Sequence, residues 1–283
     1  MQIFREKAAL QGAILGLKQD KKTIGFVPTM GALHIGHLSL VKQAAALCDV
    51  VVVSIFINPT QFDNPNDLRD YPRTLDTDVS LLEDLNLNVL VFAPNAQELY
   101  GEKVEAEHFI FDGLEHEMEG KYRTGHFNGV GTVVKKLFEI VQPHKAFFGE
   151  KDYQQLQIIK KLTQKHNLPI EIIGCPIDRE ISGLARSSRN ERLSSEVRKE
   201  ASFIYNTLTA VKEKFGTESA KSISDWVKKQ YEGHPVLKLE YFEIANIETL
   251  KTMEVKEAGA HYRAFIAAFA GDVRLIDNIA LNY

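Results

Sequence analysis

Two histidines stand three residues apart in Met30-Gly31-Ala32-Leu33-His34-Ile35-Gly36-His37, with a glycine between them. Residues at i and i+3 share a helix face, so His34 and His37 are expected to point the same way. An apolar run before them (23–27) and a helix-like run after them (38–47) put the pair at a helix N-terminus. Open N–H groups and the helix dipole make such an end attractive to an anion. Imidazoles there can donate hydrogen bonds to a leaving phosphate and change charge near neutral pH. Two other readings stay open on these residues alone. The histidines could be structural parts of a strand–turn–helix, or a metal pair, although HxxH without a nearby cysteine or third histidine is a weak zinc signal.

Further strings carry polar groups suited to the same chemistry. Asn58-Pro59-Thr60-Gln61-Phe62 follows an apolar run, and its two amides can donate to and accept from a hydroxy acid or a carboxylate. Tyr71-Pro72-Arg73-Thr74 offers a pocket wall in Tyr71 and a helix cap in Thr74. Arg123, in Arg123-Thr124-Gly125-His126-Phe127-Asn128-Gly129-Val130, is a candidate clamp for a phosphate or carboxylate, or a plain surface charge. In Phe148-Gly149-Glu150-Lys151-Asp152-Tyr153-Gln154-Gln155, Gly149 permits close backbone approach and Lys151 offers a point charge. Asp152 suits ribose hydroxyls or a helix cap, and Gln155 lies one turn further on. Finally, Arg186-Ser187-Ser188-Arg189-Asn190 puts two hydroxyls between two guanidiniums, a grip for a polyphosphate or a solvated linker.

The elements that must position these groups alternate. Strand-like runs at 23–27, 50–57, 88–92, 146–148 and 170–175 are separated by helix-like runs at 36–47, 75–85, 127–141 and 153–166. The β-branched stretch at 50–57 reads as a strand buried on both faces. This order predicts an α/β fold: a Rossmann-like parallel sheet with right-handed crossovers, in which ligands bind outside the carboxyl ends of the strands. Nearly all the unusual polar residues fall in those loops. After residue 192 the alternation stops. A long helix from Ser194 or Ser195 to 211, a helix at 222–231, and strands at 237–244, 261–269 and 273–280 predict a small α+β domain. The division is placed at 1–180 for the nucleotide-binding domain and 181–283 for the C-terminal domain, which is expected to cover the site.

Composition narrows the class. With 44% hydrophobic and 25% charged residues among 283, the chain has the balance of a globular protein. A net charge of −4 argues against broad nucleic-acid binding. No stretch approaches the roughly 20 apolar residues that cross a bilayer, and the first residues lack the order of a secretory signal. Cys48 and Cys175 form no motif and read as reduced thiols of a cytoplasmic protein, with a disulfide left open.

Taken together, the strings at 27–37, 57–62, 71–74, 123–130, 148–156 and 187–190 resemble the pantoate–β-alanine ligase family, within the HxGH nucleotidyltransferase superfamily. The resemblance runs from end to end. It implies a homodimeric enzyme that joins (R)-pantoate to β-alanine through a pantoyl adenylate, releasing pyrophosphate and AMP, with Mg²⁺ on the ATP phosphates. By the same resemblance ATP meets Met30, Gly31, Ala32, Leu33, His34, Ile35, Gly36 and His37, then Gly149, Glu150, Lys151 and Asp152, Asp178, and Arg186, Ser187, Ser188 and Arg189. His37, His34, Lys151, Ser187 and Arg189 are the implied catalytic set. Gln61, Gln155, Asn58 and Arg123 are implied for pantoate, and Gln61 and Tyr71 for β-alanine. Two positions depart from the family pattern: Ser182 stands where an Asp is usual before Gly183, and Arg186 where a Met or Leu is usual. Two rival readings remain at this stage: a nucleotidyltransferase acting on another acid, and a nucleotide-binding protein that has lost catalysis.

Overall fold

The computed structural model describes residues 1–63 and 65–281. Among them, β1 (Gln2–Phe4), β2 (Ile24–Thr29), β3 (Val50–Ile55), β4 (Val89–Phe92), β5 (Lys145–Gly149) and β6 (Glu171–Cys175) pair in parallel in the order β1-β4-β3-β2-β5-β6. Three further strands, β7 (Leu237–Asn246), β8 (Tyr262–Ala270) and β9 (Val273–Ala280), form an antiparallel sheet. The chain divides into two compact units. One holds Met1–Glu115, Glu119–Glu150 and Gln155–Pro176; the other holds His116–Met118, Lys151–Gln154 and the chain from Ile177 onward.

In the first unit the sequence explains the burial directly. Val50, Val51, Val52 and Val53 of β3 are all at most 2% exposed, as a β-branched strand covered on both faces should be. Val27, Val51, Val53, Val91 and Phe147 pack with Val41, from the helix Ile35–Leu47, and Leu82, from the helix Leu75–Glu83. From β2 the chain steps outward to β3 and β4, then returns to place β5 on the other side of β2. The reversal between β2 and β5 is where an open parallel sheet leaves a crevice for a ligand. The strings beginning at Met30 and at Gly149 leave the sheet at those two carboxyl ends.

The second unit has its own core. Helices Phe203–Phe215 and Ala220–Tyr231 bury Ile204, Leu208, Val211, Ile223 and Val227 with Ile244, Ile266 and Leu275 of the antiparallel sheet. Gly271, at φ +64, makes the turn between β8 and β9.

Several elements differ from the sequence expectation, the short helices Pro65–Asp70, Ala96–Tyr100 and Met118–Tyr122 among them. β1 and the helix Lys7–Gln19 were not foreseen: β1 is three residues long, and the helix buries only Leu10 and Ile14, so neither carries much apolar pattern. The long helix expected from Ser194 or Ser195 to 211 is two helices, Ser195–Glu200 and Phe203–Phe215. Ser194 does cap the first, accepting from Val197 N at 3.3 Å. Both cysteines are free and buried. Burial pushes the Cys175 thiol up to about 11. No helix among the described residues is long and apolar enough to cross a membrane.

Candidate active site

Two consecutive left-handed residues, Gly31 (φ +82) and Ala32 (φ +49), turn the chain sharply after β2. His34 then serves as the N-cap of the helix Ile35–Leu47, in extended backbone. Its Nδ1 accepts from Gly36 N at 3.1 Å, and His37 Nδ1 accepts from His34 N at 3.3 Å. The two imidazoles therefore take the part of a capping box, usually made by Ser or Thr with Glu or Gln. Their rings lie 4.1 Å apart between centroids, 37° from coplanar. The arrangement has a chemical consequence. A ring nitrogen that accepts from a backbone amide carries no proton, so each neutral ring holds its hydrogen on Nε2. Both histidines are thus set in the tautomer that offers an Nε2–H donor. The expectation that the pair shares one side of a helix start is met, although His34 caps the helix and only His37 lies within it.

Asn58 to Gln61 follow β3 as a short 3-10 turn, Pro59–Gln61, capped by Asn58. The Asn58 amide is 1% exposed and fully engaged. Its Nδ2 donates to Gln61 Oε1 and to Gly129 O, both at 3.1 Å, and its Oδ1 accepts from Tyr100 at 2.5 Å and from Thr60. Burial raises the Tyr100 hydroxyl above its usual range, against the hydrogen bonds with Thr60 and Asn58, which keeps it protonated and donating. Gln61 Nε2 in turn contacts Met30 Sδ at 2.8 Å, joining the loop after β3 to the loop after β2.

The Gln61 backbone is held from a third direction. Its carbonyl accepts from His126 Nδ1 at 2.8 Å and from Arg123 at 3.4 Å, while Arg123 reaches His126 Nε2 at 3.1 Å. A carbonyl only accepts, so His126 carries its proton on Nδ1 and receives Arg123 on Nε2, the opposite tautomer to His34 and His37. The helix His126–Val141 packs against the 3-10 turn at Gly129, where a Cβ would stand 2.1 Å from Thr60 O. Tyr71 is 7% exposed and meets Phe62 edge to face at 5.7 Å. A pocket of about 380 Å³ lies alongside, with Met30, Gly31, Ile57, Arg73, Asp78 and Asn95 among its walls. Gln61 and the histidines do not line it.

The strand β5 ends at Gly149, whose missing Cβ would face open space, and Glu150 follows half-buried. Gln155 is half-buried on the helix Tyr153–Lys165. Its neighbour Gln154, in the second unit, donates to Glu117 O at 2.7 Å.

In the second unit, Lys151 stands 3.7 Å from Asp152, and its carbonyl accepts from Asn278 of β9 at 2.9 Å. Asn278 continues a network through Asp277 to Arg179, whose guanidinium holds the Asp277 carboxylate at 2.6 and 2.9 Å and lies over the Tyr205 ring. Ser187 caps the 3-10 helix Ser188–Arg192 by accepting from Arg189 N at 3.3 Å. Ser188 is buried and Arg189 half-buried. Asn190, 1% exposed, ties this segment to Glu180 and to Ala185 O. The two departures from the family pattern now have physical accounts. Arg186 pairs with Asp178 at 2.6 Å, so its charge is met on the spot. Ser182 Oγ accepts from Leu184 N, the turn-closing bond an Asp would make, and Gly183 is required because a Cβ would meet the Tyr205 ring at 2.3 Å.

Some groups escaped the sequence reading. His126 lay inside a string already marked, but nothing in its spacing separated it from its neighbours. Asp78 looked like an ordinary acidic residue in a helix's first turn. Thr74, expected to cap that helix, makes no cap bond and donates instead to Asp78 at 3.2 Å. Asp277 and Asn278 sit in a strand whose alternation gave no hint that they reach Lys151. Among the described residues, no three His, Cys, Asp or Glu side chains gather as metal ligands.

Comparison with known proteins agrees along the whole chain. The model of the pantoate-beta-alanine ligase family matches residues 2–280. A pantothenate synthetase of Christiangramia forsetii is 62% identical over 282 residues, all of both chains. The crystal structure of pantothenate synthetase from Thermus thermophilus superposes with a TM-score of 0.91 at 38% identity, covering all of both chains. A Francisella tularensis pantoate-beta-alanine ligase, solved with beta-gamma ATP and beta-alanine, gives a TM-score of 0.80 at 36% identity over 99% of this chain and 98% of its own.

Proposed function

Since the chain belongs to the pantoate-beta-alanine ligase family, we propose that it condenses (R)-pantoate with β-alanine at the expense of ATP, with the residues above dividing two steps between them. A carboxylate is a poor acylating agent, so the acid is first activated. A pantoate oxygen attacks the α-phosphorus of ATP, the bond to the β-phosphate oxygen breaks, and pyrophosphate leaves. The amine of β-alanine then attacks the acyl carbon, AMP leaves with the electron pair, and the amine's proton is lost.

The observation that carries this reading is the matched tautomer of His34 and His37. Two Nε2–H donors at a helix start are suited to the charge that builds on the bridging and α-phosphate oxygens during the first step. His37 donates its Nε2–H as a hydrogen bond to departing pyrophosphate and keeps its proton, and His34 holds the α-phosphate in the same way. Met30 to Leu33, Ile35 and Gly36 supply backbone around the nucleotide. Gly149, Glu150, Lys151, Asp152 and Asp178 act on adenosine and phosphate, and Ser187, Ser188 and Arg189 on the triphosphate, with Arg186 set by Asp178. Gln61 and Gln155 hold pantoate, and Gln61 and Tyr71 meet β-alanine. Asn58 and Arg123 serve pantoate through Gln61, the first on its side-chain amide and the second, with His126, on its carbonyl. Mg²⁺ enters with ATP, coordinated by phosphate oxygens as a hard cation. The family resemblance also supports a homodimer at work in the cytoplasm.

The test is pyrophosphate release from ATP with pantoate and Mg²⁺ and no β-alanine, followed by β-alanine addition. Pantoate-dependent pyrophosphate first, and pantothenate with AMP second, is the expected result. A protein that binds ATP yet releases nothing with pantoate would overturn the assignment.

A further inference from the structure

We propose that Asp78 is the positioning residue for the histidine pair: its buried carboxylate clamps the left-handed turn at Gly31–Ala32 and so sets where His34 and His37 stand. Asp78 lies on the helix Leu75–Glu83 and is 1% exposed. Its two oxygens are aimed at one loop. Oδ2 accepts from Ala32 N at 3.0 Å and Oδ1 from Leu33 N at 2.7 Å. Oδ1 also takes the Thr74 hydroxyl at 3.2 Å. An ionised carboxylate is an acceptor on both oxygens, which is what two neighbouring backbone donors and a hydroxyl require.

The turn needs such a partner. Ala32 holds φ +49, a region that L side chains disfavour, and no glycine there relieves it. Gly31, at φ +82, is pressed so closely that a Cβ would stand 3.1 Å from both Asp78 Oδ2 and Ile55 Cγ2. On the far side Leu33, 7% exposed, is packed into the core with Leu82 of the same helix. Leu33 is joined by one peptide to His34, whose amide completes the histidine pair by donating to His37 Nδ1. The clamp therefore ends where the imidazole geometry begins. Strain held in place by surrounding structure beside a reactive group is how a site is preorganised.

The inference rests on the reading that this turn handles ATP, and its test separates the two. Asp78→Asn keeps the shape but sets an NH₂ against one of the two backbone N–H donors. A misplacement of that kind far from the bond-breaking atoms costs on the order of 10- to 100-fold in rate. Pantoate-dependent pyrophosphate release by Asp78→Asn should show a fall in kcat of that size, at an ATP KM that changes less. The loss should shrink in an Ala32→Gly background, because glycine takes the left-handed conformation without help. Wild-type kcat in Asp78→Asn, or the same fold-loss in both backgrounds, would overturn the proposal. If Asp78→Asn does not fold, wild-type protein decides. The Ala32 and Leu33 amides should exchange with deuterium as slowly as those inside β2, and fast exchange at both would refute the clamp. That readout needs no activity, so a wild-type protein inert toward pantoate would end the functional reading and leave the clamp to be judged by exchange alone.

Discussion

His34 and His37 are informative because their chemistry is fixed by backbone, not by other side chains. Each gives its Nδ1 to a main-chain amide, and each neutral ring is thereby left with a proton on Nε2. Replacing His37 by alanine removes the proposed hydrogen-bond donor to pyrophosphate and also the acceptor for His34 N, so the His34 backbone loses its brace. We expect adenylation to fall by at least ~100-fold, the usual scale for loss of one preorganised donor to developing charge. His37→Gln restores an acceptor for His34 N but sets no N–H where the ring's Nε2–H stood. It should recover the helix start, seen as a melting temperature at the wild-type value, without recovering the rate. Near-normal turnover by folded His37→Ala, measured as pyrophosphate release, would remove the role. The HxGH spacing announced these two residues in the sequence. Asp78 went unannounced, because an aspartate in a helix's first turn is ordinary and its partners lie 45 and 46 residues away.

At the scale of elements, the parallel sheet was legible because hydrophobic period and length agreed. Val50 to Val53 leave little choice, and the strings carrying chemistry fell at strand ends, where a sheet of this order binds ligands. What stayed hidden was the support between elements. The 3-10 turn at Pro59–Gln61 and the helix His126–Val141 meet so closely that Gly129 sets their spacing. A Cβ there would stand 2.1 Å from Thr60 O and 2.7 Å from Gln61 Cα, both backbone, which cannot swing aside. Gly129→Ala should cost about 1–3 kcal/mol, the range for overpacking a core, and should raise the pantoate KM by displacing Gln61. Gly12→Ala is the control. Gly12 is exposed in the helix Lys7–Gln19 with nothing within 4 Å of its Cβ, so alanine should stabilise by up to about 1 kcal/mol. Urea midpoints for the two variants should move in opposite directions. A Gly129→Ala protein as stable as its parent, with unchanged pantoate KM, would show that the helix is free to slide and that Gln61 is not set by it.

For the molecule as a whole, the two units have separate cores, and their stabilities can be read separately. Trp226, the single tryptophan of the chain, packs against the second unit's core with Lys214 over its ring. Its fluorescence therefore follows that unit alone. Within it, Glu180 gathers Arg198 at 2.8 Å and Asn190 at 3.2 Å, tying the Ser188–Arg192 segment into the unit. Burial pushes the Glu180 carboxyl up. The hydrogen bonds from Arg198 and Asn190 and the charges of Arg198 and Arg186 outweigh it, and the group titrates below its ordinary 4.5. The sign follows from linkage. A carboxyl whose folded value is lowered stabilises the fold above the unfolded value, and that contribution drains away as pH falls through the folded one. Wild-type protein should therefore melt above Glu180→Gln at pH 7 when followed by Trp226 fluorescence. The gap should narrow progressively as pH falls below 4.5. A gap that stays constant as pH falls would mean that Glu180 contributes through shape and hydrogen bonding and not through its charge.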